Sequence, residues 1–468
     1  MEINSLQQGS EDIVLPVAEL SNCDGQAKPA DDSPHPVYTA DRIQTVDMIR
    51  GLALLGILLM NIPYFGVDPS AFYGIVTGSH NTKDYYTLAV VTSLFDGTMR
   101  GLFSMLFGAG MVLFTINKKQ VPGGVTVAEY YYRRLLWLVV FGLFNAYILL
   151  WDGDILFYYG LLGMLLYPFR KTRARWLLLI GIACIGIGVY RNVLWYNQTR
   201  ETRATYLEAV KAEKAKTKLT EKQEKAKTSW EDIEKRQTPD TANVNRNVRK
   251  MHSGYSTIFN YFIPRNSGNE AWGTYFGLWD MISMMFIGMA LLALGFLSNR
   301  LSTSTYTITL LVGYGLGIPI GYIFFKNAYV ESLNIGRYVD AYSAPHWLLY
   351  DLRRLLLCLG HASLLILIYR SRIVPWLMRA LCKVGQMAFT NYLMQSIICT
   401  LIFYGYGFNN YNNLRFYQLY YVVGAVWLFQ LIFSSIWLRF YNFGPFEWVW
   451  RSLTYWKKQP MKKTVVRH

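Results

Sequence analysis

Cysteine is scarce in this chain. Its five cysteines, Cys23, Cys184, Cys358, Cys382 and Cys399, form no CxxC pair and have no histidine at metal-ligand spacing, which argues against a zinc site or a redox dithiol. GxxxxGK[ST] and GxGxxG are both missing, so neither a P-loop nor a dinucleotide fold is indicated. The segment 1–40 holds no apolar run of the roughly 7 to 15 residues that a signal peptide requires. It is polar and mildly acidic, with Pro29, Pro34 and Pro36, and predicts a disordered cytoplasmic tail over 1–41, the first apolar helix acting as its own insertion signal. Acidic residues are the scarcer charge, 30 against 46 Lys and Arg, leaving a formal net charge of +16. That excess does not indicate nucleic acid, because the cations gather at the ends of apolar runs, where a membrane protein carries them for orientation.

What is abundant is apolar sequence: 53% of residues are hydrophobic and 16% aromatic. The runs approach the ~20 residues that cross a bilayer and do not alternate as barrel strands would. The expected fold is all-α: a polytopic transmembrane helical bundle of about ten spans with both termini cytoplasmic. The spans fall near 47–66, 90–116, 133–150, 154–169, 174–195, 273–297, 306–325, 346–369, 384–404 and 418–438. For that count, Lys118, Lys119, Arg133 and Arg134, the basic groups after the fourth and eighth spans, and the basic tail all lie on one side. The domains are thus an N-terminal bundle over 42–195, a lysine-rich extracytoplasmic insert over 196–272, a C-terminal bundle over 273–438 and an interfacial, basic tail over 439–468. The insert has Glu221 with Lys225 and Glu231 with Lys235 at supporting helical spacing, and is expected as an exposed helical hairpin or a solvated arm. In the tail, Gly444 and Pro445 break the helix before a segment rich in Trp and Arg that suits the membrane interface, with Glu447 and Arg451 four apart.

Polar residues inside apolar spans are costly, so they mark packing seams or function. On the first span Asp47, Arg50 and Asn61 share a narrow stripe, Asp47 and Arg50 close enough to pair and Asn61 roughly 16 Å further along. Asp96, Arg100, Asp280, Asp351 and Arg354 gather in the outer half of their spans, level with Asp152 and Asp154 of the loop WDGD. Asn391 and Gln395 share a helix face nearer mid-depth. The expected product is a polar path with two charged mouths; interhelical hydrogen bonds and ion pairs that merely fix the packing are the alternative. Small residues in FGAGM and GIACIGIG indicate close helix packing.

VDMIRGLALLGILLMN, GLFSMLFGAG, WDGDILFYYGLLGMLLYPFR, VGQMAFTNYLMQS and FGPFEWVWRSLTYW, in this order from about residue 42 to residue 460, resemble the YeiB-like bacterial membrane proteins with their C-terminal domain-of-unknown-function-418 region. The resemblance implies a multi-pass bacterial inner-membrane protein, distantly akin to the transmembrane acyltransferases. It implies a donor site for acyl-coenzyme A at Arg50, Asp47, Arg133 and Arg134, and an envelope glycan or lipid as acceptor. Acyl-coenzyme A would be a co-substrate and no cofactor or metal would be permanently bound. The path would be lined by Asn61, Asp96, Arg100, Asp152, Asp280, Asn391 and Gln395. Superfamily members commonly use a histidine base. His80 and His361 are candidates, beside Asp154 and Asp351, the latter held by Arg354. A transporter or flippase and a non-catalytic scaffold are the competing functions; no internal repeat supports the first. Oligomeric state is not legible.

Overall fold

The computed structural model describes residues 43–116, 125–237, 239–330 and 333–463. The tail expected over 1–41, and the cations Arg42, Lys118 and Lys119, lie outside the described residues. All named elements among the described residues are helical. α1 (Gln44–Gly66) crosses the bundle from one end, here the foot end. Short α2 (Ser70–Thr77) and α3 (Lys83–Phe95) lead into α4 (Thr98–Ile116), which returns to the foot. α5 (Val127–Tyr147) and α6 (Leu156–Leu166) form a hairpin whose loop lies at the far end. α7 (Ala174–Lys214) crosses and continues outward, followed by α8 (Glu221–Gln237), α9 (Thr241–Met251) and α10 (Tyr255–Gly268). α11 (Thr274–Ala293), α12 (Thr303–Phe325), short α13 (Ile335–Ala341) and α14 (Tyr350–Ser371) complete the wall. Last come α15 (Pro375–Gln386), α16 (Ala388–Phe403), α17 (Phe416–Phe440) and α18 (Pro445–Tyr455).

Among the described residues, six helices are long and apolar enough to cross a membrane, or seven if the bent pair Tyr255–Gly273 and Gly277–Ala293 is one span. Three of the roughly ten expected crossings fall on other helices. α5 carries Glu129, Arg133 and Arg134 near its start, α6 has 11 residues and α16 has 16. Exposed apolar side chains on α7 (Trp176, Leu179, Ile182), α12 (Ile308, Leu311) and α17 (Leu428, Ile432) form the surface that lipid would cover. Together with this apolar character, the architecture is that of a membrane protein.

Two close crossings hold the frame. A side chain on Gly108 of α4 would strike the Met285 carbonyl of α11, and one on Gly288 of α11 would strike the Met105 carbonyl of α4. Gly51 of α1 lies likewise against the Leu381 carbonyl of α15, and Gly385 of α15 against that of Asp47. Only glycine permits such backbone approaches, which maximise packing where lipid removes the hydrophobic drive.

α7 has no break at 196, where the insert was expected to begin. Strong helix formers continue the helix to Lys214, and α8 folds back on it through Lys222–Glu201 (2.9 Å) and Lys227–Glu213 (2.6 Å). Trp230 of α8 is fully buried, with Arg203 of α7 over its ring. Arg203 also reaches Asp340 on α13 at 3.0 Å, so the outward arm is tied to the connection leading into α14.

Candidate functional site

A cavity of about 260 Å³ lies at the foot end, walled by α1, α4, α5, α6, α16 and α18. Its walls are largely apolar, from Leu106, Phe107, Leu135, Leu138, Leu156 and Phe389. Arg50, Arg134 and Arg451 line its charged part. Arg50 donates to Asp47 at 2.6 Å and keeps 24% of its side chain exposed. Beside it Gly110 leaves open space: the nearest neighbour to an added Cβ would be Arg50 Nη2, at 4.0 Å.

The Arg134 guanidinium lies over the rings of Trp450 (4.4 Å) and Phe114 (5.1 Å). Trp450 Nε1 donates to the Arg134 carbonyl at 2.8 Å, fastening α18 to α5. Glu447 of α18 is spent on the start of α16. It accepts from the Phe389 and Thr390 amides at 2.8 and 3.0 Å and from the Thr390 hydroxyl, satisfying orphan donors at the positive end of that helix. Burial holds its carboxyl above the ordinary range, against the opposing effect of these bonds. This occupation explains why the spacing of Glu447 and Arg451 misleads as to the role of the carboxylate.

Tyr159 and Tyr392 also line the cavity and lead away from the foot. The Tyr159 hydroxyl meets Ser104 Oγ at 2.7 Å. Tyr392 accepts from the Ile155 amide at 3.1 Å and donates to Asp154 Oδ1 at 3.4 Å. Asp154 is buried and further accepts from Asn145 Nδ2 (2.8 Å) and from the Phe157 amide (2.9 Å) in the first turn of α6. On its other side a small pocket, with room for about one water, is lined by Asp152, Asp154, Asn266 and Glu270. Asp154 therefore stands between a large amphipathic cavity and a small acidic pocket.

The outer charges form a separate cluster. Arg100 pairs with Asp280 at 2.7 Å, and Arg354 bonds Asp280 and also Asp351, the latter at 2.7 Å. Arg353 approaches Asp96 at 3.5 Å and donates to the Thr92 and Asp96 carbonyls. Arg353 and Arg354 are buried, whereas Arg100 keeps 42% of its side chain exposed. Asp152 meets Arg265 of α10 at 3.1 Å, a partner that sequence reasoning did not supply.

The structure thus brings Asp47, Arg50 and Arg134 to one cavity and joins Asp154 to it through Tyr392. Arg133 instead lies over the exposed ring of Trp456, at 5.4 Å. Asn391 donates to Ser434 at 2.9 Å, and Gln395 to the Leu54 carbonyl and Gln430, so both knit α16 to its neighbours. Asn61 is half-buried on α1. His361 has both ring nitrogens engaged, with the Tyr314 hydroxyl (2.7 Å) and the Leu94 carbonyl (3.2 Å). His80 meets the Val76 carbonyl at 2.9 Å and stacks on Tyr85, away from the cavity lining. Tyr159, Tyr392 and Trp450 are missing from the sequence-derived set; aromatics so common in this chain carry no positional signal until the helices are packed.

The family model described as "Protein of unknown function (DUF418)" matches residues 291–457. The chain is 30% identical over 429 residues to "Uncharacterized protein YeiB" of Escherichia coli (strain K12), covering 88% of this chain and 96% of that one. It is 30% identical over 447 residues to "Uncharacterized protein YxaH" of Bacillus subtilis (strain 168), covering 92% and 99%. A third relative, "Uncharacterized 39.9 kDa protein in amylase 3'region" of Bacillus acidopullulyticus, is 24% identical over 430 residues, covering 91% of this chain and 97% of its own. No solved structure matches the chain.

Proposed function

We propose, on the premise that this chain belongs to the family of YeiB and YxaH, that it is a bacterial inner-membrane acyltransferase. It would move an acyl group from cytoplasmic acyl-coenzyme A to an envelope glycan or lipid. The observation that carries this reading is the division of one cavity into unlike parts: guanidinium groups at Arg50 and Arg134, apolar walls beyond them, and hydroxyls leading to Asp154. The phosphates of the donor match the guanidinium part, and its acyl chain lies against the apolar walls with the thioester carbonyl turned towards the hydroxyls that lead to Asp154. The foot end then faces the cytoplasm and the phosphates meet Arg50 and Arg134.

In the reaction, an acceptor hydroxyl adds to the thioester carbonyl as its proton passes to the Asp154 carboxylate. The C–S bond breaks and coenzyme A leaves as a thiolate that is protonated on the cytoplasmic side, while Asp154 releases the acceptor's proton to water, so the net products are the ester and the free thiol. Tyr392 and Asn145 hold Asp154 in place, which is what a positioned base requires. Asp351 and Arg354 belong to the outer cluster and organise the acceptor's approach.

The test uses the purified full chain in lipid nanodiscs with labelled acyl-coenzymes A of several lengths. Arg50→Ala and Arg134→Ala should each weaken donor binding by about ten- to a hundredfold, the loss of a charge-assisted contact. Asp154→Asn should retain donor binding and lose transfer. Absence of affinity, hydrolysis and transfer with every acyl-coenzyme A overturns the proposal.

A further inference from the structure

The foot carries a second group of cations that does not face the cavity. In the stretches 370–386 and 439–463 the sequence places one carboxylate, Glu447, among many Lys and Arg, and that carboxylate is buried against Thr390. Some of the cations serve the fold: Arg370 donates to Asn299 and to the Leu301 carbonyl. Arg379, Lys383, Arg439 and Lys463 gather at another place, Lys463 spending one of its three N–H donors on the fold.

The segment after α18 returns along the end of α17. Asn442 donates to the Met461 carbonyl at 2.9 Å, the Lys463 amide to the Phe440 carbonyl at 3.0 Å, and Lys463 Nζ to the Leu438 carbonyl at 2.6 Å. Lys463 is thereby fixed on the last turn of α17, which carries Arg439, and α15, which carries Arg379 and Lys383, packs on α17. Burial, then the charges of Arg439, Lys463 and Arg379, hold the Lys383 ammonium below its ordinary range, as expected of cations gathered together. Trp376, one turn before Arg379 on α15, and Phe440, next to Arg439 and one turn beyond Ile436 on α17, are highly exposed, as is Ile373 just before α15.

From this juxtaposition we infer that Arg379, Lys383, Arg439 and Lys463 form a seat for the phosphate headgroup of an anionic phospholipid. Charge complementarity calls for an anion. The exposed apolar rim, level with the cations and continuous with the lipid-covered face, selects a membrane lipid over an aqueous phosphate or an acidic protein. The inference does not depend on acyl transfer and concerns a surface outside the cavity.

The full chain in detergent is titrated with phosphatidylglycerol, phosphatidylcholine and inorganic phosphate, reading unfolding temperature and lipid retained in native mass spectrometry. Phosphatidylglycerol should be retained and raise the unfolding temperature, whereas the other two should not. The double variant Lys383→Gln/Arg439→Gln should bind phosphatidylglycerol roughly thirtyfold more weakly, from losing two headgroup-level cations. Its unfolding temperature in phosphatidylcholine should be unchanged. A second pair, Arg372→Gln/Lys458→Gln, removes the same charge elsewhere on the foot and should retain the lipid. Equal responses to phosphatidylglycerol and phosphatidylcholine, an equal response to inorganic phosphate, or an equal loss in the second pair overturns the inference. If the first pair lowers stability in every lipid alike, the cluster serves the fold and the inference also fails.

Discussion

Glu447 illustrates how a single carboxylate can serve structure beside a ligand cavity. Its oxygens accept two backbone amides at the start of α16, so Glu447→Gln should lower stability by about 1–3 kcal/mol, the value of a buried charge-assisted bond left half-made. The pH dependence has a definite sign. Because burial raises the folded-state pKa, the folded protein holds its proton more tightly than the unfolded chain, and stability falls as pH rises from the ordinary carboxylate range through the raised value. Thermal unfolding across that window should show the decline in the parent chain and a flatter profile in Glu447→Gln. At this scale the sequence was legible where partners are neighbours: the three-residue spacing of Asp47 and Arg50 is a bond of 2.6 Å. It was opaque for Glu447, whose Thr390 partner lies 57 residues away while Arg451 offers the obvious local spacing.

Within α4, FGAGM shows how one short motif can serve packing and cavity at once. Gly108 and Gly110 differ by about 200° around the helix, so one faces α11 while the other opens on the cavity beside Arg50. Gly108→Leu should drive side-chain atoms into the Met285 carbonyl and lower stability by about 1–3 kcal/mol or more, since backbone cannot yield as a side chain does. Gly110→Leu should leave the unfolding temperature near that of the parent and weaken binding of coenzyme A and of long-chain acyl-coenzyme A alike, because the added side chain enters the space beside Arg50. Thermal unfolding and donor titration of the two variants separate the roles, and equal destabilisation by both would place Gly110 in a packed seam. Composition made the small residues visible as a packing signal, but not which of them was free. Polarity changes at 196, where the insert was expected to begin, but helix propensity does not, and α7 continues to Lys214.

Over the whole molecule, hydropathy made the all-helical membrane architecture legible, while the number of crossings depends on how bent, short and charged helices are treated. Orientation rests on charge: the foot end gathers α15, α18 and their cations, and α1 begins beside them, with Cys382 donating to the Gln44 carbonyl. The α7–α8 arm projects from the other end, and long polar segments are weakly governed by the charge rule, so its lysines do not oppose an outward location. Single cysteines at Lys225 on the arm and Lys457 after α18 test this in cells, with Cys23→Ser/Cys382→Ser as background and the buried Cys184, Cys358 and Cys399 retained. A membrane-impermeant maleimide should label Lys225→Cys in intact spheroplasts and Lys457→Cys after lysis alone. The opposite result would put the arginine-lined cavity on the outer side, where acyl-coenzyme A is absent. Arg50 and Arg134 would then require a different anion, so this topology measurement bears directly on the proposed chemistry.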